Sequence, residues 1–373
     1  MSGLRRPVPY RTNTPPTMPP LCSPRLRRAA LHLWLLLAAA LATVLATTPA
    51  LAWEPTAAVE LVVPAGTGGG ADQMARFIAQ LAAAKQLLRQ PINVVNKAGN
   101  SGLDGLQDIK ASAGNPHKLV ITLSSLFTAP LATGADFSWR DITPVQMLAL
   151  DQFVLWVNAS SPHKTTKDLL DALRAAPAGK FRLGGTGSKQ EDQLISVLLE
   201  TAAGARISYV PLKGGGDVAR ALAEGEVDIT VNNPIEAEAL WRQGKLRPLC
   251  VFDGQRLDYP AKLAGGQGWA DLPTCMSVGI PAQYLMLRGI FTTPGASAAQ
   301  VAFYSQLLDK VRALPEWKDF MARGAFKQTA MAGEEFRDWL EKANRYHNVL
   351  MRESGLKAAP AAMPAASAAP ARK

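Results

Sequence analysis

From residue 60 onward, short apolar runs alternate with longer stretches whose apolar positions recur every three or four residues. Residues 60–64 (ELVVP) read as a strand. Residues 72–89 read as a helix, with Met74, Phe77, Ile78 and Leu81 along one face. Strands at 92–95 and 119–123 follow, with a helix at 103–112 between them. The rhythm resumes with strands at 153–157, 181–183, 207–210, 228–231 and 247–252. Helices at 166–175, 191–201, 217–223 and 236–243 separate them. After a glycine-rich stretch at 263–272 comes a strand at 289–292. The C-terminal third is helical over 298–313, 316–323 and 334–353. This alternation predicts an α/β protein built on largely parallel sheets with helices on their faces. No fixed-period repeat interrupts it, and 373 residues suit two domains better than one.

Two strand-to-helix turns stand out. The first runs Pro64, Ala65, Gly66, Thr67, Gly68, Gly69, Gly70, Ala71, Asp72. Glycines allow a close backbone approach, and a helix start offers unpaired N–H groups at the positive end of its dipole. Together they make an anion site. Asp72 is placed to cap the helix, or to touch a ligand. Gly66-x-Gly68-x-x-Ala71 also matches a weak dinucleotide fingerprint. The second strand ends in Val95-Asn96-Lys97, however, without the acid that would hold a ribose hydroxyl. No Gly-Lys-Ser/Thr follows, which excludes a phosphate-binding P-loop. The second turn is Gly184, Gly185, Thr186, Gly187, Ser188. It is not a nucleophile elbow, because Lys189 and Gln190 follow the serine where that motif needs its last glycine. The two turns are either ordinary loops or two helix N-termini facing one cleft, each able to hold a carboxylate.

Composition adds less. The formal charge of +10 suggests nucleic acid, but residues 1–52 hold six arginines and no acid. The remaining 34 bases face 30 acids, a mild excess that names no partner. Those 52 residues read as an export leader: a basic segment with Arg25, Arg27 and Arg28, an apolar core at 29–46, and Ala50-Leu51-Ala52 as a cleavage site. The competing reading is a membrane anchor. Cys22 precedes the apolar core, so it does not fit a lipid-acylation site. Cys250 and Cys275 either pair in an oxidising compartment or stay as two buried thiols. The four histidines are scattered, with no His-x-x-x-His or Cys-x-x-Cys spacing, so no metal or cofactor is expected. Residues 357–373 are almost all Ala and Pro, a tail that cannot build a core.

The turns and their surroundings resemble the solute receptors of tripartite tricarboxylate transporters, the Bug group. The resemblance runs in order through Val62 to Asp72, Ala75-Arg76, Val94 to Gly99 with Gly102, Gly184 to Ser188, and Val210 to Gly215. It continues through Gly225 to Asp228, Gly244 to Arg247 and Leu272 to Thr274, covering about residues 55–356. It implies a type II periplasmic binding fold, two α/β lobes joined by a hinge. Residues 53–154 and 253–356 would form one lobe and 155–252 the other. It implies a periplasmic, monomeric receptor for a small organic anion that works with membrane permease subunits. By carry-over, the segment Ala65, Gly66, Thr67, Gly68, Gly69, Gly70 and the segment Gly185, Thr186, Gly187, Ser188 are the two clamps. Ser124 and Ser125 line the cleft from one lobe, Asn232 and Asn233 from the other.

This sequence departs from the family pattern at Leu212, where an aromatic is usual, at Asn96-Lys97, and at Lys189-Gln190-Glu191-Asp192, where small apolar residues are usual. Lys189 and Lys213 are either ligand cations or solvated surface lysines. Arg288, just before a returning strand, either grips a carboxylate with two N–H groups or forms a structural salt bridge. The expected function is capture of a di- or tricarboxylate or an aromatic acid for a secondary transporter. The alternatives are an exported α/β hydrolase using Ser188, with His117, His163 or His347 as base, and a ligand-sensing partner of a sensor kinase.

Overall fold

The computed structural model describes residues 53–359; the leader expected at 1–52 and the tail beyond residue 359 lie outside the described residues. The chain begins with β1 (Val59–Val63), α1 (Gly70–Ala84), β2 (Ile92–Asn96), α2 (Leu103–Ala111), β3 (Lys118–Thr122), α3 (Ser125–Thr133) and β4 (Thr143–Gln152). It continues with β5 (Val154–Asn158), α4 (Thr166–Ala175), β6 (Arg182–Thr186), α5 (Glu191–Ala203), β7 (Ser208–Leu212), α6 (Gly215–Glu224), β8 (Ile229–Thr230), α7 (Pro234–Arg242) and β9 (Leu246–Val251). A small hairpin, β10 (Lys262–Ala264) and β11 (Gln267–Gly268), precedes β12 (Leu285–Thr292), α8 (Ala298–Ala313), α9 (Pro315–Arg323), β13 (Lys327–Gln328) and α10 (Gly333–Glu353).

The strands form two main sheets, ordered β13-β4-β12-β3-β1-β2 and β7-β6-β8-β5-β9. Each is parallel on one side only. β2, β1 and β3 run parallel, as do β7, β6 and β8, whereas β12, β4, β13, β5 and β9 are all added antiparallel. The largely parallel sheet expected from the strand-helix rhythm is therefore a mixed one. The rhythm fails where strands follow each other without a helix. β4 has no counterpart in the apolar pattern, although it is the longest strand. It is buried on both faces, starts beside Pro144 and carries Gln146, Asp151 and Gln152 within its buried run, so neither the period of two nor a clean apolar stretch marks it.

Apolar clusters cover both faces of each sheet. In the first lobe they draw on α1, α8 and α9 on one side and on α2, α3 and α10 on the other. The second sheet packs against α4 and α5 on one face and α6 and α7 on the other. Trp156 meets Trp241 and Trp269 edge to face in the latter cluster, Trp241 and Trp269 are tilted against each other, and Leu257 and Leu272 join them, so much of the segment after β9 lies on the second sheet. Phe153 alone separates β4 from β5, and it is the first passage between the sheets. The second, between β9 and β12, runs beside it: Phe252 N donates to Phe153 O at 2.8 Å, and Tyr284 N donates to Phe252 O at 2.9 Å. Two neighbouring crossings leave rotation about one axis as the easiest relative motion of the lobes.

Cys250, at the end of β9, is joined to Cys275 as a disulfide, and Val251 N donates to Pro273 O at 3.0 Å beside it. The bond closes a loop of 25 residues at the root of the second crossing. Loop-closure entropy puts its contribution at about 3 kcal/mol. The C250A/C275A variant is accordingly expected to melt at a lower temperature than the parent. Addition of reductant should lower the parent's melting point towards the variant's and leave the variant unmoved.

Candidate functional site

The two glycine-rich turns lie where β1 and β6 end and α1 and α5 begin, and they face each other across the gap between the lobes. The first turn also meets a third, Lys213-Gly214-Gly215, which leads from β7 into α6. A side-chain carbon on Gly66 would lie 2.4 Å from the Lys213 carbonyl oxygen across the gap, and, within the second lobe, one on Gly215 would lie 2.0 Å from the Glu236 carboxyl. Only glycine permits jaws this close. Further contacts bridge the gap: Ser101 Oγ donates to Ser188 O at 2.9 Å, and Gln190 Nε2 donates to Ser101 O at 2.6 Å.

Between the jaws is a cavity of about 30 Å³, walled in part by Ala65, Gly70, Ser125, Thr186, Glu191 and Arg288. That is room for one water-sized body, so a ligand enters only when the lobes part. A wider groove opens outward from the same residues, and Thr67, Gly68, Gly187 and Lys213 line it.

The turn and helix-start amides expected to bind an anion already hold the chain's own carboxylates. Gly70 N donates to Glu236 Oε1 at 2.9 Å, across the gap, from α1 to α7. Glu236 Oε2 accepts from Asn232 Nδ2 at 3.0 Å and from Asn233 N at 3.2 Å. Thr186 N donates to Asp192 Oδ2 at 2.6 Å, and Gly68 N donates to Asp72 Oδ2 at 2.9 Å. Glu191 projects from the start of α5 towards the start of α3; the Ser125 amide is close enough to favour its charged form, yet Glu191 Oε1 has no partner. Burial raises the Glu191 carboxyl pKa, against the pull of nearby N–H groups and Arg288. Burial also pushes the Asp192 carboxyl well up, and Glu236 and Glu191 add to it.

Arg288 is fully buried and belongs to β12, diagonally opposite Asp151 on β4. Its Nη2 and Nε donate to Asp151 Oδ2 at 2.6 and 3.0 Å, and Nη2 reaches Asn233 Oδ1 at 3.3 Å. Asn233 Nδ2 donates to Gln152 O at 2.7 Å, so this group links the lobes next to the Phe153 crossing. Burial pushes Asp151 up to about 7 despite the opposing pull of Arg288. Of the two roles open to Arg288, the structure displays the salt bridge; a grip on a ligand would have to draw it from Asp151.

The sequence candidates divide into three groups. Ala65, Gly66, Gly69, Gly70, Ser125, Thr186, Asn233 and Arg288 line the cavity, and Thr67, Gly68, Gly187 and Lys213 line the outer groove. Asp72, Ser124, Gly185, Ser188, Lys189 and Asn232 line neither. Asp72 braces the first turn through Gly68 N, Arg76 and Asn96. Gly185 packs under Tyr209 and Asp192, Ser188 offers only its carbonyl to Ser101, and Asn232 Nδ2 holds Gly215 O at 2.8 Å. Lys189 is exposed at positive φ, with its amide on Gln193. Glu191, Asp192 and Glu236 in the cavity wall, and Asp151 on Arg288, are the charged residues of this site that the sequence reading passes over. The departure at 189–192 was a usable signal, but an acid in a first helical turn ordinarily reads as a dipole partner and Glu236 as half of a capping box.

The family model of the tripartite tricarboxylate transporter family receptor matches residues 74–356. The chain belongs to this receptor family. BugT of Bordetella pertussis is 32% identical over 241 residues, 61% of this chain and 67% of BugT. An R. palustris protein solved with adipate superposes with a TM-score of 0.73 at 22% identity, over 81% of this chain and 98% of its own. MatC from Rhodopseudomonas palustris, solved with bound malate, gives 0.66 at 21% identity, over 80% and 98%. These likenesses establish the receptor's fold as that of periplasmic binding proteins, two α/β lobes, and the family is one of solute receptors rather than enzymes. No helix among the described residues is long and apolar enough to cross a membrane.

A carboxyl whose native pKa is raised keeps its proton in the folded state at a pH where the unfolded chain has lost it. Glu191 and Asp192 thus withdraw stability as pH rises from the ordinary carboxylate range towards their native values. E191Q and D192N should both melt higher than the parent near about pH 8, and the gain should shrink towards about pH 4. Thermal melts across that range check it; a gain that is flat or that grows towards acid pH contradicts the assignment.

Proposed function

We propose that this receptor works outside the cytoplasm, capturing a small organic carboxylate between its lobes and delivering it to a membrane permease of the tripartite tricarboxylate type. The observation that carries the reading is the meeting of strand-to-helix turns from both lobes around one cavity, with a groove leading out. Two structural relatives solved with adipate and with malate support the ligand class.

In this reading the lobes part about the Phe153 and Phe252 crossings, the ligand enters by the groove, and closure follows because the ligand touches both jaws. A ligand shifts such an equilibrium only by its differential affinity for the two states. Gly66, Gly70 and Ser125 would present one jaw; Thr186, Asn233 and the Lys213 turn would present the other. Lys213, at the groove wall, would face the carboxylate end. Arg288 and Asp151 would set the floor at the hinge rather than bind the ligand first. The hydrolase alternative gains nothing here. Among the residues lining cavity and groove there is no histidine, and His347 is held by Tyr284 and the Ala343 carbonyl.

A panel of malate, succinate, adipate and benzoate, read by melting temperature and small-angle scattering, tests the receptor reading. At least one acid should raise the melting temperature and reduce the radius of gyration of the parent. Gly66→Val, whose side chain would strike the Lys213 carbonyl, should keep the fold and lose the compaction. Scattering is the better readout because Trp156, Trp241 and Trp269 are packed on one another in the second lobe, away from the cavity. Compaction that survives in Gly66→Val would exclude closure through this contact.

A further inference from the structure

The polar character of the cavity is opposite to what a plain dicarboxylate needs. Its wall carries three carboxyl groups, Glu191, Asp192 and Glu236, and one cation, Arg288, which Asp151 already neutralises at 2.6 Å. Amides of the facing turns and helix starts are engaged as well. Gly70 N and Thr186 N each donate to one of these carboxylates, and the Ser125 amide faces a third. The groups left over are Glu191 Oε1, which can only accept when ionised, and Ser125 Oγ, which can accept or donate. Both are buried, with the residues 4% and 1% exposed, both line the cavity, and neither has a partner. A second anion brought among them would meet like charge and few vacant donors. A donor cation would satisfy both.

The basic group lies at the other end of the path. Lys213 stands on the outer groove beside Arg220, whose charge is paired with Asp217, and the groove shares Pro64, Ala65, Gly66, Thr186 and Gln190 with the cavity. A ligand reaching from groove to cavity thus passes from a cationic mouth to an acidic interior.

We infer that the ligand is a zwitterion: a carboxylate that also bears a protonated amine, seated with the ammonium against Glu191 and Ser125 and the carboxylate towards Lys213. The inference rests on the receptor reading and narrows its ligand class. A primary ammonium brings three donors on one centre, which matches the vacant acceptors. A bare metal ion fits less well, because among the described residues no three His, Cys, Asp or Glu groups converge tightly enough to hold one. Burial, which raises the Glu191 and Asp192 pKa values and in Glu191 outweighs the pull of Arg288, is the cost that an ammonium in the cavity would offset.

The test uses pairs of acids with one carbon skeleton, differing only in an amine: aspartate against succinate, and 2-aminoadipate against adipate. Calcium chloride and 1,4-diaminobutane serve as cation probes without carboxylate. Calorimetric titration of the parent is expected to show the amine-bearing member of at least one pair binding about tenfold more tightly or better, a full order in the dissociation constant. E191Q should abolish that preference while keeping a cooperative melt. Equal or tighter binding of succinate or adipate overturns the inference and leaves the receptor reading standing. So does a preference that survives in E191Q. Tighter binding of calcium or the diamine than of either amino acid overturns it too. If no compound in any arm binds, the inference and the receptor reading fail together. The comparison within each pair is made on the parent protein, so it holds even if E191Q is poorly folded.

Discussion

The hydrogen bond from the Gly70 amide to Glu236 is the contact on which the closed arrangement turns. It joins the first residue of α1 in one lobe to the first turn of α7 in the other. A helix start is deficient in acceptors and carries positive potential, so it binds whichever anion comes nearest. Here that anion belongs to the protein. The same carboxylate also draws in Asn232 and Asn233, and Asn233 passes the link to Gln152 and Arg288 beside the hinge. One acid therefore ties a jaw, an opposing helix and the hinge strand together. Gly66 is small because the jaws meet backbone against backbone there, and Gly215 because the Glu236 carboxyl lies against it.

Much of the frame was legible in the sequence because it depends on local regularities. The run Glu60 to Pro64, the helix of Met74, Phe77, Ile78 and Leu81, and the 298–313 helix each follow a period that burial enforces. The glycine turns were legible as well, since only a close approach or an unusual backbone requires so many glycines together. What stayed hidden depends on partners far away in the chain. β4 is specified by β12, some 140 residues later, not by its own alternation. The direction of the sheets follows from two crossings at Phe153 and Phe252 that carry no sequence mark. The ordered family resemblance pointed to the fold but not to how this chain fills the cleft.

The site shows the same division more sharply. Glycine positions could be assigned to jaws because a glycine's role lies in its own backbone. A carboxylate's role lies in what faces it. Glu191 and Asp192 look like ordinary first-turn acids until α5 is placed against α3 and the Lys213 turn; then they are buried groups with raised pKa values and too few donors. Arg288 has the opposite history. As a lone arginine before a strand it suggests a ligand grip, and only its diagonal neighbour Asp151 shows that its charge is already spent.

These two facts together say how the receptor can stay responsive. Closure gains a handful of cross-gap hydrogen bonds, each worth about 1 kcal/mol net because open jaws would bond to water instead. Against that stands the burial of Glu191, with Oε1 left unpartnered, which carries a penalty of similar order. In the proposed cycle, opposing terms of comparable size would leave the open and closed states near balance, where a modest differential affinity suffices to move most of the population. Were the acids replaced in evolution by the small apolar residues usual at these positions, closure would lose its penalty and with it the need for a ligand that supplies the missing donors. The acidic interior is on this argument the element that makes closing conditional.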